Sequence, residues 1–352
     1  VKILVAMSGG VDSSVAAFLL HEEGHDTVGV TMRLWGGESD TGCCSVSDVD
    51  DARRVAQQIG IDHVVFNFSD DFSQSVVEPY VGAHVRGETP NPCIECNRHL
   101  KFDRLVRRAR ELGFDAVATG HHARIVGTPD GPRIARGADT AKDQSYVVHM
   151  IAGDDLSYVR FPVGSMDKAA VRAIAARAGL RTASKPDSQD VCFIGSTVGR
   201  DGFLAKRMEL HPADVVDTSG DTVGTVDAVE LVTVGQRRGL GLGGGDKRYV
   251  VDVDVPARRV TVGPEELLRT GFSCVSSLAW PYPADAVRVN GSEVLVQASA
   301  HGARHRATVR VDGDAATVEW LTPQRRVSPG QTVVFYDGSD THVLGAGIVA
   351  PG

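Results

Sequence analysis

At 352 residues the chain is long for one hydrophobic core and implies two or three domains. Its composition is ordinary and globular, no apolar run is long enough to span a bilayer, and the first segment reads as a strand rather than a signal peptide, so a cytoplasmic location is expected. The 37 Lys and Arg against 45 Asp and Glu give a net charge of −8, which excludes blanket nucleic-acid binding but leaves a local basic patch open.

Lys2-Ile3-Leu4-Val5-Ala6-Met7 is an apolar run that feeds directly into Ser8-Gly9-Gly10-Val11-Asp12-Ser13-Ser14. A buried strand, a Gly-Gly turn and a helix opening make an anion cradle. The glycines let backbone approach phosphate oxygens, and the helix turns its free N–H groups toward them. Ser8, Ser13 and Ser14 add hydroxyl donors. The loop lacks the Lys of GxxxxGK[ST] and does not read as GxGxxG. Helical spacing follows over Ser13–Glu23, then a strand over Thr27–Met32, a helix over Asp48–Ile59, a strand over His63–Phe68 and a strand over Asp115–Thr119 that ends in Gly120-His121-His122. Strands separated by helices imply an α/β fold with a doubly wound parallel sheet. Ligands of such sheets sit beyond the carboxyl ends of the strands, where Ser8–Ser14, Met32 and Gly120-His121 all fall. Arg124–Val126 and Arg133–Ala135 flank a Pro-Asp-Gly-Pro hairpin turn, and Met166–Ala178 is a further helix closed by Gly179.

Beyond about residue 200 the pattern changes. Val215–Thr233, Tyr249–Val253 and Arg259–Val262 read as strands of a small Gly-rich module. From Gly271 onward, period-two segments at Val287–Val289, Glu293–Ala298, Arg306–Val311, Thr317–Trp320 and Thr332–Tyr336 suggest a barrel or sandwich. The expected division is 1–200, 201–268 and 269–352. Cys274 lies in an apparent strand and is expected in the core. Trp280 with Pro281 and Pro283 marks a packed turn.

Six cysteines are too few for a disulfide scaffold, and in a reducing compartment they are reactive, metal-binding or buried. Thr89-Pro90-Asn91-Pro92-Cys93-Ile94-Glu95-Cys96-Asn97 is a loop stiffened by prolines. Asn97 reads as the N-cap of a helix to Leu112, which places Cys96 at a helix N-terminus where a thiolate is favoured. Lys101, Arg104 and Arg108 share one face of that helix, either solvated or facing phosphate. Cys192 stands in Lys185-Pro186-Asp187-Ser188-Gln189-Asp190-Val191-Cys192-Phe193-Ile194-Gly195, next to an apolar run that would bury an inert Cys. Two cysteines far apart in sequence, both on loops near a nucleotide site, also suit sulfur transfer, in which one thiol holds a persulfide and another resolves it. A single CxxC without a second half-site is a weak zinc signal. Cys43 and Cys44 follow an acidic Gly-rich loop and are expected simply to line it. His99 and His122 read as polar loop or helix residues rather than ligands.

SGGVDSS closely resembles the loop of the ATP pyrophosphatase (PP-loop) enzymes, which cleave ATP between the α and β phosphates and adenylate a carbonyl oxygen. TPNPCIECN, LKFD, ATGHHAR, KDQSYVVHM, RFPVG, KPDSQDVCFIG, VGQRRGLGLGG and PGQTVVFYDG then follow in order over nearly the whole chain. This set resembles the bacterial tRNA-specific 2-thiouridylases, which add sulfur to C2 of the wobble uridine in tRNAs for Lys, Glu and Gln.

The resemblance implies ATP, with Mg²⁺, bound by Ala6, Met7, Ser8, Gly9, Gly10, Val11, Asp12 and Ser13, with Met32 and Gly120 on the nucleotide. It implies Cys192 as persulfide carrier and Cys96 as the nucleophile that resolves it, leaving a Cys96–Cys192 disulfide. Asn91, Pro92 and Cys93 would lie against the base, and His121, Lys142, Asp143 and Gln144 would contact tRNA near it. Arg304, His305 and Gln331 would touch the anticodon arm, with Gln236-Arg237-Arg238 helping to position it. A cysteine desulfurase or sulfur carrier protein would supply the sulfur. Several relatives of this family carry Asp as a general acid/base where this chain has Cys93, so that role is open here; a thiol's resting pKa is higher than a carboxylate's. Cys93, Cys96 and Cys192 together are also a donor set for an iron–sulfur cluster with one iron left open. Three other classes remain: a PP-loop enzyme acting on a different substrate, which would leave Cys96, Cys192 and the C-terminal β domain without a task; an RNA-binding module that consumes no ATP; and a redox or metal protein built on the CxxC.

Overall fold

The computed structural model describes residues 1–34, 46–187, 191–194, 198–243 and 247–351. Cys43, Cys44, Ser188, Gln189, Asp190 and Gly195 lie outside them. The chain divides into one unit of Val1–Val77, Pro92–Thr197 and Ser339–Val343, and a second of Glu78–Asn91, Val198–Gly338 and Leu344–Gly352.

The first unit is built on strands β1 (Lys2–Ala6), β2 (Asp26–Arg33), β3 (Asp62–Asn67), β4 (Ala116–Thr119), the hairpin β5 (Ala123–Thr128) and β6 (Gly131–Arg136), and β7 (Val159–Arg160). Five of them form one sheet in the order β3-β2-β1-β4-β7. All its pairings are parallel, as the strand–helix alternation predicts. The central strand β1 is apolar on both faces because both are covered, and Ile3, Leu4 and Val5 are fully buried. Helices α1 (Val11–Glu22) and α2 (Val46–Ile59) and a later helix, Lys168–Arg177, share one apolar cluster with β1 through Val15, Leu20, Val55, Ala56 and Val171.

A helical rod runs over 92–111. It begins as α-helix at Pro92–Glu95, widens to π-helix over Cys96–Arg104 and returns to α-helix at Leu105–Glu111. The expected helix start at Asn97 is therefore corrected. Proline is well suited to a first helical position because its fixed φ is already helical and its missing N–H would have no partner there. Cys96 lies in the second turn, not at the N-terminus, and Asn97 is no cap: its amide donates to the Val147 carbonyl, 2.8 Å away.

The second unit holds a four-stranded sheet, ordered β10-β11-β8-β9, of β8 (Ala213–Val216), β9 (Thr222–Val226), β10 (Tyr249–Asp254) and β11 (Arg259–Gly263). Val215–Thr233 is thus not one extended run: the Ser-Gly-Asp turn folds it back, and Val229–Leu231 is a 3-10 turn. Strands β12 (Arg269–Ala279), β13 (Ser292–Gln297), β14 (Arg304–Asp312), β15 (Ala315–Arg325), β16 (Thr332–Tyr336) and β17 (Val343–Val349) close into a barrel. Two expectations fail here. Val287–Val289 belongs to a helix, Pro283–Val289, started by Pro283 and capped at that same end by the Asp285 carboxylate, which accepts from the Tyr282 N–H at 3.1 Å. Cys274 is exposed, because the period-two pleat of β12 turns Ser273 and Val275 inward and leaves Phe272 and Cys274 outside. No helix among the described residues is long and apolar enough to cross a membrane.

Candidate functional site

The loop after β1 is shaped by close backbone approach. Gly9 has φ +72°, and a Cβ there would stand 2.5 Å from the Asp48 carbonyl oxygen. Gly120, just after β4, would place a Cβ 2.5 Å from Ser13 N. The end of β4 is therefore packed on the first turn of α1, and a side chain would fill that approach. Ser13 Oγ accepts from Ser8 N–H at 3.2 Å, and Ser14 Oγ donates to the Gly10 carbonyl at 2.7 Å. Ala6, Met7, Val11 and Met32 are buried around the loop, which orients backbone N–H groups rather than side-chain charge toward an anion.

Charge enters from elsewhere in the chain. Lys168 Nζ donates to Asp12 Oδ1 and Oδ2, and His122 Nε2 donates to Oδ1 at 3.1 Å. Burial works against the charged Asp12, but bonds from His122 and Lys168 outweigh it and hold its pKa below the usual carboxylate range. Lys168 also reaches Asp187 at 2.9 Å, which in turn receives Lys142 at 2.8 Å and Arg172 at 2.7 Å. Against the cost of its burial, Lys142 and Lys168 hold Asp187 well below the ordinary range. Lys185 bonds Asp48 and Asp51. The segment leading to Cys192 is thus anchored by Lys185 and Asp187 to residues that line the phosphate loop. Lys168 and Asp187 had no role in the sequence reading. His122, read there as a polar loop residue, is buried against Asp12.

The rod that carries Cys93 and Cys96 meets the same region. Val191 N–H donates to Cys93 Sγ at 3.4 Å, so the residue preceding Cys192 lies on the first thiol of the CxxC. Val191 itself has φ +54°, a left-handed conformation that costs a β-branched residue about 1–2 kcal/mol. Phe193 packs edge-on against Phe72, with centroids 5.4 Å apart. Cys96 is buried, while Cys93 and Cys192 are half-buried. Phe102, from the same rod, and Phe161 enclose the His121 ring. Burial pushes the His121 pKa well down, so its imidazole is neutral, with Nδ1 held 2.7 Å from the Thr119 hydroxyl. The His122 N–H donates to Gln144 Oε1 at 2.8 Å.

The other expected contacts fall in different settings. Lys142 is exposed. Asp143 is buried with Arg136. Arg104 pairs with Asp71 and Arg108 with Glu111, over the Phe68 and Phe66 rings respectively, with both arginine side chains still half-exposed. His99 pairs with Glu95. In the second unit, Arg304 is exposed on β14 and His305 packs edge-on against Trp320. The Gln236 side chain closes its own turn between Thr233 and Arg238. Among the described residues no group of three His, Cys, Asp or Glu side chains is set to hold a metal ion. The expectation of a cluster on Cys93, Cys96 and Cys192 therefore has no support in this arrangement.

Comparison with known proteins accords with this geometry. The sequence is 44% identical over 99% of both chains to the tRNA-specific 2-thiouridylase MnmA of Roseiflexus sp. (strain RS-1). The chain belongs to the tRNA-specific 2-thiouridylase family. Further members of that name include those of Acidothermus cellulolyticus, 45% identical over 99% of this chain and 97% of that one, and Geobacter metallireducens, 43% identical over 98% and 96%. Three domain families match in succession: the "tRNA methyl transferase HUP domain" over residues 1–196, the "tRNA methyl transferase PRC-barrel domain" over 201–264 and the "Aminomethyltransferase beta-barrel domain" over 273–349.

Proposed function

We propose that this 2-thiouridylase-family chain uses ATP to replace the C2 oxygen of a tRNA wobble uridine, of the Lys, Glu and Gln type, with sulfur. The observation that carries the reading is the Val191–Cys93 contact. It joins two cysteine segments that are distant in sequence, one of them anchored beside the phosphate loop by Lys185 and Asp187.

The C2 carbonyl of uracil is a poor electrophile with a poor leaving group. In the proposed sequence its oxygen attacks the α-phosphorus of ATP, pyrophosphate leaves, and AMP becomes the leaving group. The terminal sulfur of a Cys192 persulfide attacks C2, and AMP departs with the oxygen. The Cys96 thiolate attacks Cys192 Sγ, the S–S bond to the product sulfur breaks, and 2-thiouridine is released with a Cys96–Cys192 disulfide. A thiol reductant reopens that disulfide, and a cysteine desulfurase or sulfur carrier reloads Cys192. Cys93, where several relatives carry Asp, accepts from Val191 N–H beside Cys192, and whether its thiol takes over the proton-transfer role of that Asp stays open in this reading. Asp12 is the loop's carboxylate, ionised and oxygen-bearing, and fits a share in holding Mg²⁺ together with ATP phosphates and water. That ion would spread the charge of departing pyrophosphate. The base must leave its stack to react, which is inexpensive in an anticodon loop, and edge hydrogen bonds suit recognition by the half-buried Asn91, whereas Pro92 and His121, expected at the base, are buried within the protein. A cytoplasmic location and the three-part division 1–200, 201–268 and 269–352 complete the reading.

The test combines purified protein, ATP, Mg²⁺, a sulfur source and anticodon stem–loop RNA, with the wobble nucleoside read by mass. The expected product carries sulfur in place of oxygen, forms only with ATP, and disappears in Cys192→Ser while pyrophosphate release persists. Unchanged nucleoside mass with wild-type protein, or a methyl gain without ATP, would overturn the reading.

A further inference from the structure

Within the first unit, the His122 imidazole stands behind the phosphate loop rather than in it. Its side chain is 4% exposed, against 29% for the Asp12 carboxylate whose Oδ1 it meets at 3.1 Å. An ionised carboxylate only accepts, so Nε2 carries the proton and donates. The other ring nitrogen, Nδ1, is buried and has no partner among the described residues. The ring therefore commits its hydrogen bonding to Asp12.

The backbone that carries the ring is fixed. His122 N–H donates to Gln144 Oε1 at 2.8 Å, and Gln144 N–H donates back to the His122 carbonyl at 2.9 Å. Gly137 packs so closely on that carbonyl that a Cβ there would overlap it. Two residues before His122, Gly120 packs on the Asp12–Ser13 backbone. Ring and carboxylate thus rise from two backbone segments that are pressed together.

Lys168 and His122 act on Asp12 in different ways. The Lys168 ammonium bonds both oxygens, at 2.8 and 2.7 Å, and as a rotatable point charge it neutralises the carboxylate without choosing between them. The imidazole is rigid and presents one N–H, so it selects Oδ1. Oδ1 then accepts twice, whereas Oδ2 accepts from Lys168 alone among the described residues. Each carboxylate oxygen has two lone pairs, so the capacity left on Asp12 lies on Oδ2.

We propose that His122 is a positioning residue of the phosphate loop: its N–H pins Asp12 Oδ1 from the buried side and so reserves Oδ2 for the Mg²⁺ that accompanies ATP. This role rests on ATP being bound at the loop, as in the thiolation reaction proposed for this chain. His122 touches neither nucleotide nor RNA in it and acts only through Asp12.

The experiment is calorimetry of ATP binding to the full chain, with Mg²⁺ and then with EDTA. RNA is left out because resemblance places Gln144 at the tRNA. In His122→Gln the side-chain amide nitrogen takes the place of Nε2; in His122→Asn the amide is too short to reach Asp12. With Mg²⁺, His122→Asn should bind ATP about tenfold more weakly than wild type, the scale of one lost hydrogen bond to a charged group, while His122→Gln stays within about threefold. Gln144→Ala, which leaves His122 N–H without its acceptor, should lose about fivefold. With EDTA all variants should agree with wild type within about twofold, because the reserved oxygen serves the ion. A ring that mattered only as packing would make His122→Gln and His122→Asn lose affinity alike, with or without Mg²⁺; that result overturns the proposal, as does wild-type affinity in His122→Asn. If His122→Asn does not fold, Gln144→Ala decides by the same difference between Mg²⁺ and EDTA. A wild type that binds no ATP sinks the ATP reading together with this role, whereas a wild type that binds ATP no better than His122→Asn sinks this role alone.

Discussion

Lys168 Nζ donates to both carboxylate oxygens of Asp12, at 2.8 and 2.7 Å, across 156 residues of sequence. A half-buried carboxylate beside a phosphate loop is a liability unless neutralised, and this ammonium neutralises it. In the proposed reaction the same ammonium would stand beside the phosphates whose charge grows as pyrophosphate leaves. Lys168→Ala is expected to slow tRNA-dependent pyrophosphate release about 10²-fold, the usual cost of removing one charge-stabilising donor, with Lys168→Arg retaining part of the rate. Release at the wild-type rate in Lys168→Ala would show that the lysine serves Asp12 alone.

Gly120 is held against the start of α1 by backbone rather than by a flexible side chain. Its added Cβ would meet Ser13 N at 2.5 Å and Asp12 C at 2.7 Å. Gly120→Ala must therefore push β4 away from the loop, at about 1–3 kcal/mol. A lower melting temperature and ATP binding weakened about tenfold are expected in calorimetry. Wild-type ATP affinity in a folded Gly120→Ala protein would remove Gly120 from the cradle.

The parallel sheet, the phosphate loop and the two cysteine segments were legible because each rests on local rules: apolar runs, glycine turns, prolines. The helix start at Pro92 was misplaced because a good cap residue, Asn97, competes on paper with a proline that already has helical φ. Lys168 and Asp187 were not legible. Nothing at Met166–Ala178 distinguishes Lys168 from an ordinary first-turn lysine, and only the fold brings Lys142, Lys168 and Arg172 onto one carboxylate. The outward face of Cys274 was lost for a simpler reason: period two predicts alternation but not which phase faces the core.

His149 is buried with Nδ1 2.7 Å from the Tyr146 carbonyl oxygen. Burial pushes its pKa down to about 4, helped by Arg98 and opposed by the Tyr146 carbonyl. The unfolded chain takes up a proton near pH 6.5 that the folded chain refuses until about pH 4. Stability therefore falls as pH drops through that window, by roughly 2 kcal/mol at pH 5 for this one residue. His121, also depressed by burial, adds in the same direction. Asp12 and Asp187, whose folded pKa values lie below the unfolded ones, withdraw their support only under still more acid conditions. Melting curves at pH 7.5 and pH 5 (values chosen around that window, about one unit above the unfolded pKa and midway down) should separate clearly in wild type and less in His149→Gln. Equal separation in both would deny His149 its part.

Asp143 was expected at the tRNA, yet its carboxylate is spent inside the protein. Oδ2 accepts from Arg136 Nη1 at 2.9 Å and from Ser145 Oγ at 2.8 Å, while Oδ1 accepts from Gly137 N–H at 2.8 Å. Arg136 extends the cluster to Asp340 at 2.7 Å, which pins the Ser339–Val343 excursion to the first unit. Removing one member of a buried, hydrogen-bonded ion cluster leaves the remaining charge undercompensated, at a cost of about 3–5 kcal/mol. Asp143→Ala should therefore lower the melting temperature strongly, and Asp143→Asn, which keeps an acceptor for Gly137, should lower it less. At a temperature where the variant is still folded, its stem–loop RNA affinity should match wild type. A variant that melts normally but binds RNA weakly would return Asp143 to the tRNA interface.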